Sequence, residues 1–191
     1  MQEDSFYEHV SYGQLSVSGE VYGWYMMTIP LSKFDVCRWG SPSQDRRGLV
    51  SSAFYTLNDK GVKLTGQYTF FVFSGQVWGF ALSQEKVTVQ NERYDWGTYA
   101  HELGHTLGLP DLYSYQAAES GQYSSTYAGS WDIMSTSSAE SMCAWSKIKL
   151  GWIKQDQIVT LAGNQQGAAI ISPIGGGSWP NGKTPNSEGS K

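Results

Sequence analysis

The stretch YAHELGHTLGLPDLY, residues 99–113, decides the fold and the chemistry expected of this chain. His101 and His105 stand four positions apart, and on an α-helix such positions lie on one face, about 40° apart at ~100° per residue. The two imidazoles can therefore point to one place. Glu102 follows the first histidine directly, so its carboxylate can reach a water beside a metal ion without binding the metal itself. This spacing predicts a helix that carries a metal site with its own general base.

The same helix needs a second face for the core. Trp96, Ala100, Leu103 and Leu107 form an apolar stripe that lies roughly opposite the histidines on a helical wheel. Asp95 is available as the N-cap residue. We therefore predict a helix over residues 96–107 that buries one face and turns the other toward a cleft.

A catalytic zinc site uses three protein ligands and keeps one position open. Asp111 is the first candidate for the third ligand. The Gly-Leu-Pro at 108–110 lets the chain leave the helix sharply and prevents its continuation, so the chain can fold back. Glu140, in a later predicted helix, is the alternative. The ligands expected for zinc are thus His101, His105 and Asp111. A metal-free alternative, in which both histidines only pack or hydrogen bond, stays open.

Composition restricts the class of protein. The chain has 191 residues, 16% of them charged, with a net charge of -4, which suits one sizeable core and makes nucleic acid an improbable partner. The longest apolar runs, WYMMTIPL and YTFFVF, are far shorter than the ~20 residues that span a bilayer. The acidic opening MQEDSFYE shows no signal peptide. Cys37 and Cys143 fit two thiols or one disulfide equally well. We expect a monomer.

The order of elements predicts one α+β domain over residues 1–163 and a tail or truncated connection, rich in Gly, Ser and Pro, over 164–191. His9 is predicted to lie on the surface of the first helix. Helices are predicted at 4–11, 45–61, 96–107 and 138–150. Extended strands are predicted at 14–19, 20–30, 66–75, 75–83 and 86–90.

Three stretches carry a resemblance to a known family. They are FYEHVSYGQLSVSGEVYGW (6–24), the histidine motif already quoted, and GSWDIMS (129–135) followed by AWSKIKLGWI (144–153). With them the chain looks like a metzincin-type zinc metallopeptidase, and more closely it resembles the immune inhibitor A family of bacterial secreted metallopeptidases. The likeness spans about residues 6–153.

The resemblance implies a β-rich N-terminal half with a backing helix and an active-site helix, and a smaller C-terminal half with a Met-turn and a helix. It also implies secretion, one catalytic zinc, protein substrates and structural calcium. Met134 would be the turn methionine beneath the zinc ligands. Several metzincins carry a tyrosine two residues later, where this chain has Thr136. Stabilisation of the oxyanion must then come from Tyr127 or from a backbone amide, and the sequence leaves both open.

We predict a zinc endopeptidase in which Glu102 is the general base. The substrate should lie extended along an edge strand formed by GQVWGFALS (75–83), because main-chain pairing holds a peptide without demanding a sequence. The rival from another class is a catalytically inactive secreted binding module on the same scaffold. A second rival keeps the zinc but hydrolyses a non-peptide amide.

Overall fold

The computed structural model describes residues 3–38, 40–116 and 126–159. Within these ranges the chain mixes α-helices with a small β-sheet, in agreement with the predicted α+β class. The helices are α1 (Glu3–Val10), α2 (Ser43–Asp59), α3 (Trp96–Thr106) and α4 (Ala144–Lys149). The strands are β1 (Thr69–Phe73), β2 (Phe80–Leu82) and β3 (Val87–Asn91).

The sheet has the order β1-β3-β2, so the last strand in sequence lies in the middle. β1 runs parallel to β3, with Thr69 opposite Val87, and β2 runs antiparallel, with Phe80 opposite Val89. Every residue of β3 is buried, as expected for a central strand covered on both faces. β2 is therefore an edge strand of the described sheet, and it lies within the stretch that the sequence analysis assigned to an edge.

Helices cover the two faces of this sheet. Val87 and Val89 pack in one apolar cluster with Leu49 and Val50 of α2. Gln90, which points to the opposite face because side chains alternate along a strand, donates from Nε2 to the Thr98 carbonyl oxygen of α3 at 3.4 Å. The sheet thus separates α2 from α3, and α3 lies directly beneath β2 and β3.

A second core joins α1 to α3. The Tyr7 hydroxyl donates to the Ala100 carbonyl oxygen at 2.6 Å, and both residues are fully buried. The predicted stripe of α3 faces this core, and the backbone N–H of Thr98 is capped by the Asp95 carboxylate at 3.1 Å. The buried members of the cluster are Phe6, Tyr7, Val10, Ala100, Leu103, Leu109, Ile133, Met134, Met142 and Trp152. Helix α3, which carries the two predicted histidine ligands and is called the ligand helix below, is therefore packed against this core along its apolar face.

Two predicted elements differ from the structure. Residues 14–30 form no strand, and Val21 within them is 99% exposed. Alternation specifies a strand only when one of its faces is covered. Leu15, Val17 and Met27 pack against the cores, but residues 18–26 between them are all exposed. The sheet is consequently smaller than the sequence suggested.

The helix predicted at 138–150 begins only at Ala144. The reason is the buried carboxylate of Asp132. Its Oδ2 accepts hydrogen bonds from the Cys143 backbone N–H at 2.9 Å and from the Ser146 hydroxyl at 2.6 Å. A distant side chain thus satisfies the first turn of α4 and fixes where the helix starts.

The structure also bears on the predictions for His9, the two cysteines and membrane-spanning helices. His9 is exposed on α1, as predicted. Cys37 and Cys143 are both free thiols. Among the described residues no helix has the length and apolar character to cross a membrane. Most of the predicted tail, together with the predicted boundary at 163, lies outside the described residues, so the domain division stays a prediction.

Candidate metal centre

The structure brings His101, His105 and Asp111 together. The Asp111 Oδ1 atom lies 3.0 Å from His101 Nε2 and 3.3 Å from His105 Nε2. One ligand atom from each residue lies within 4.8 Å of the other two, and each of the three side chains is more than four-fifths buried. Glu140, the alternative third ligand, is exposed and lies outside this group.

A left-handed glycine returns the chain to the ligand helix. Gly108 has φ +99°, a conformation that other residues adopt only with strain. The next residue, Leu109, donates its N–H to the Gly104 carbonyl oxygen at 3.0 Å and buries its side chain in the core. The Leu112 N–H then bonds the Met134 carbonyl oxygen at 2.8 Å. These bonds hold Asp111 between two anchored leucines.

Backbone carbonyl groups orient both histidine rings. His101 Nδ1 lies 2.8 Å from the Ile133 carbonyl oxygen, and His105 Nδ1 lies 2.8 Å from the Leu109 carbonyl oxygen. A carbonyl oxygen only accepts hydrogen bonds, so each Nδ1 must carry the hydrogen. In the neutral imidazole this leaves a lone pair on Nε2, which is the tautomer that binds a metal.

These tautomers leave the Asp111 Oδ1 atom without a hydrogen bond although two nitrogens lie close to it. While both imidazoles are neutral it is buried without a hydrogen-bond donor, because the facing Nε2 atoms of His101 and His105 then carry lone pairs rather than hydrogens. Two lone pairs and a carboxylate oxygen repel one another unless a cation lies among them. Two imidazoles and a carboxylate are also a ligand set that zinc accepts. The residues present therefore fit a metal ion.

The electrostatics of the group favour positive charge. Burial lowers the pKa of His105, but the hydrogen bond and charge of Asp111 and the charge of Glu102 raise it more, to about 9. Burial raises the pKa of Asp111, but its contacts with both histidines hold it far below the usual range. Protonated His105 can donate its Nε2 hydrogen to Asp111, so without a metal the pocket would bind a proton, and a divalent cation would compete with that proton for the same place.

Glu102 lies beside the three predicted ligands and close to the edge strand β2. It is buried, and burial raises its pKa, while the charges of His101 and His105 act in the opposite direction. Its Oε1 atom would be 3.5 Å from a Cβ atom placed on Gly79, the residue before β2. The carboxylate therefore lies next to the residue that precedes the edge strand β2.

Met134 packs beneath the ligand helix. It is fully buried, and its Sδ atom would be 2.5 Å from a Cβ atom placed on Gly104, which stands between the two histidines. Thr136 makes a hydroxyl contact with Ser138 at 3.1 Å, and Tyr127 is 71% exposed. The source of oxyanion stabilisation therefore stays a prediction.

Gly104→Ala is expected to destabilise the protein by about 1–3 kcal/mol, because the new methyl group overlaps the Met134 thioether in a packed core. A mid-helix change from Gly to Ala otherwise stabilises by roughly 0.5–1 kcal/mol, so the sign of the effect tests the contact. Thermal unfolding of the metal-free protein measures it. Ser51→Ala, at an exposed position of α2, is the control and should be neutral or slightly stabilising.

Sequence reasoning missed two residues that support the site. The Tyr115 hydroxyl donates to Asp111 Oδ2 at 2.8 Å, and burial together with that carboxylate raises the pKa of Tyr115 to about 12. Asp132 accepts the Met134 backbone N–H at Oδ1, at 2.8 Å, in addition to its bonds to α4. The sequence features that could have indicated them were a tyrosine four residues after the predicted third ligand, Asp111, and an aspartate two residues before Met134.

This arrangement, with two histidines one helical turn apart, a glutamate between them and an aspartate facing both, is that of a metallopeptidase. Residues 52–155 match the family model described as the immune inhibitor A peptidase M6 catalytic domain. That range is more than half of the 191 residues and includes α3, Asp111, Met134 and α4. The chain belongs to the immune inhibitor A peptidase family. No curated protein and no solved structure matches it.

The same comparison bears on the other expectations. The stretch at 6–24 lies outside the matched range, so its likeness rests on the sequence alone. Of the residues that the structure describes, His101, His105 and Asp111 form the one cluster of three or more His, Cys, Asp or Glu side chains. The calcium expected from the resemblance therefore gains no support.

Proposed function

We propose that the chain is a zinc endopeptidase that hydrolyses peptide bonds of protein substrates. His101, His105 and Asp111 hold the zinc, and Glu102 is the general base. The observation that supports this most strongly is the convergence of two Nε2 lone pairs on the buried, unsatisfied Asp111 Oδ1. Two neutral imidazoles and one carboxylate leave a fourth position for water, as in catalytic rather than structural zinc sites.

The chemistry that zinc supplies when bound is a lower pKa for water and polarisation of a carbonyl group. The protein supplies the proton transfer. The Glu102 carboxylate takes a proton from the attacking water and then gives it to the leaving amine nitrogen. Burial helps, because a carboxylate whose pKa is raised is a stronger base. Its place next to the ligands, rather than among them, keeps it free for this role.

The substrate is proposed to extend along β2. This strand is an edge of the described sheet, and Glu102 lies beside the residue that precedes it. A peptide added to this edge gains main-chain hydrogen bonds, and its scissile bond is carried past the carboxylate. Such binding suits an enzyme that accepts many protein sequences.

Three finer features complete the proposal. Met134 acts as the Met-turn residue, supported by its contact beneath Gly104. The protein is secreted, as the family resemblance implies. The monomer expected from the sequence stays part of the proposal, and a single chain supplies all three proposed ligands.

Metal removal and return test the proposal. The purified chain is expected to contain one zinc by elemental analysis and to cleave casein. Dialysis against a chelator such as 1,10-phenanthroline should remove both the zinc and the cleavage. One equivalent of zinc should restore cleavage. Circular dichroism before and after dialysis serves as the control for folding.

Two results would count against the proposal in different ways. A chain that binds one zinc but cleaves no protein would favour the inactive binding module, and a substrate panel would then test for hydrolysis of non-peptide amides. A chain that cleaves casein equally well after complete zinc removal would exclude the zinc mechanism.

A further inference from the structure

The two carboxylate oxygens of Asp111 have different neighbours. Oδ1 faces both Nε2 atoms at 3.0 and 3.3 Å. Oδ2 instead accepts a hydrogen bond from the Tyr115 hydroxyl at 2.8 Å. A hydrogen bond from a neutral hydroxyl to an ionised carboxylate is charge-assisted and among the stronger kinds in proteins. It therefore competes directly with any metal contact at Oδ2.

The ring that carries this hydroxyl is itself held in place. Tyr115 meets the ring of Tyr113 edge-on, with centroids 5.7 Å apart. Tyr113 in turn stacks on the His101 ring at 6.5 Å, with 17° between the planes. The hydroxyl is thus tied to the ligand helix through two aromatic contacts, although the Tyr115 side chain is half exposed.

We propose that Tyr115 is a positioning residue that makes Asp111 a ligand through one oxygen only; this inference rests on the proposed zinc site. An aspartate that bound through both oxygens would occupy the position that hydrolysis needs for water. By holding Oδ2, Tyr115 keeps that position open and fixes the rotation of the carboxylate. Partners of this kind around metal ligands typically contribute 10–100-fold in metal affinity.

The test compares Tyr115→Phe with Tyr55→Phe. Both remove one hydroxyl, and Tyr55 is an exposed tyrosine of α2 outside the proposed site, which makes it a matched control. Zinc affinity is measured by competition with a chromogenic chelator. Tyr115→Phe is expected to weaken zinc binding by about 10–100-fold, whereas the control should stay close to the wild-type chain.

A second measurement separates positioning from general stabilisation. The chains are loaded with Co²⁺, whose visible absorption is intense in four-coordinate sites and weaker when coordination expands. Tyr115→Phe should show weaker bands, because Oδ2 loses the Tyr115 hydrogen bond that opposes a metal contact. Circular dichroism of the metal-free variants confirms that both are folded.

The inference fails if Tyr115→Phe binds zinc as tightly as the wild-type chain. It also fails if affinity falls but the cobalt bands stay unchanged, since the hydroxyl would then stabilise the site without orienting the carboxylate. Failure of the proposed function looks different, because the wild-type chain itself would then hold no zinc or cleave no casein.

Discussion

Glu102→Gln is expected to abolish casein cleavage while one zinc stays bound. Glutamine keeps the size of the side chain but cannot accept a proton from water. A positioned general base contributes typically 10²–10⁴-fold, so kcat/KM should fall by at least about 100-fold. Zinc should remain because the three proposed ligands are unchanged. Casein cleavage and elemental analysis of the same preparation measure both effects.

The control for this variant is Glu8→Gln, at an exposed position of α1, which should retain activity. Full activity in Glu102→Gln would remove the glutamate from the mechanism. Loss of zinc together with activity would instead indicate that Glu102 binds the metal, which would contradict its role as a free base.

Asp111→Ala is expected to lose zinc and, with it, all proteolysis. The change removes the one oxygen that faces both imidazoles, leaving two ligands. Residues that merely support a ligand contribute about 10–100-fold in metal affinity, so loss of the ligand itself should exceed that range. Titration with zinc against a competing chelator gives the affinity.

Glu140→Ala is the matched comparison, because Glu140 was the other carboxylate that the sequence allowed. Its exposed side chain lies outside the cluster, so this variant should bind zinc and cleave casein normally. The reverse pattern, with zinc kept in Asp111→Ala and lost in Glu140→Ala, would contradict the proposed ligand set.

The ligand helix was predictable because the residues that determine it lie within the helix or directly before it. The spacing of His101 and His105, the apolar stripe and the Asp95 cap all follow from helix geometry, and the observed bounds, Trp96–Thr106, nearly coincide with the prediction. The three later strands were predictable for the same reason. Each is a short stretch between turn residues. β1 and β2 fall within their predicted ranges, and β3 ends one residue beyond its range, at Asn91.

The features that could not be predicted from the sequence depend on contacts between segments that are distant along the chain. The carbonyl of Ile133 orients a histidine 32 residues away, and no spacing rule indicates this. The Asp132 carboxylate sets the start of α4 from 11 residues upstream of Cys143. Residues 14–30 contain apolar and polar residues in partial alternation, as a strand does. Whether they pair with an edge of the sheet depends on the rest of the fold.

The bond between His101 and the Ile133 carbonyl has a consequence for the order in which the enzyme is made. The ribosome releases the chain from its N-terminus, so residues 99–113 emerge before residue 133. Until then His101 lacks the acceptor that fixes its tautomer, and Leu112 lacks its Met134 partner. We expect a nascent chain cut before residue 133 to bind zinc poorly and to be inert.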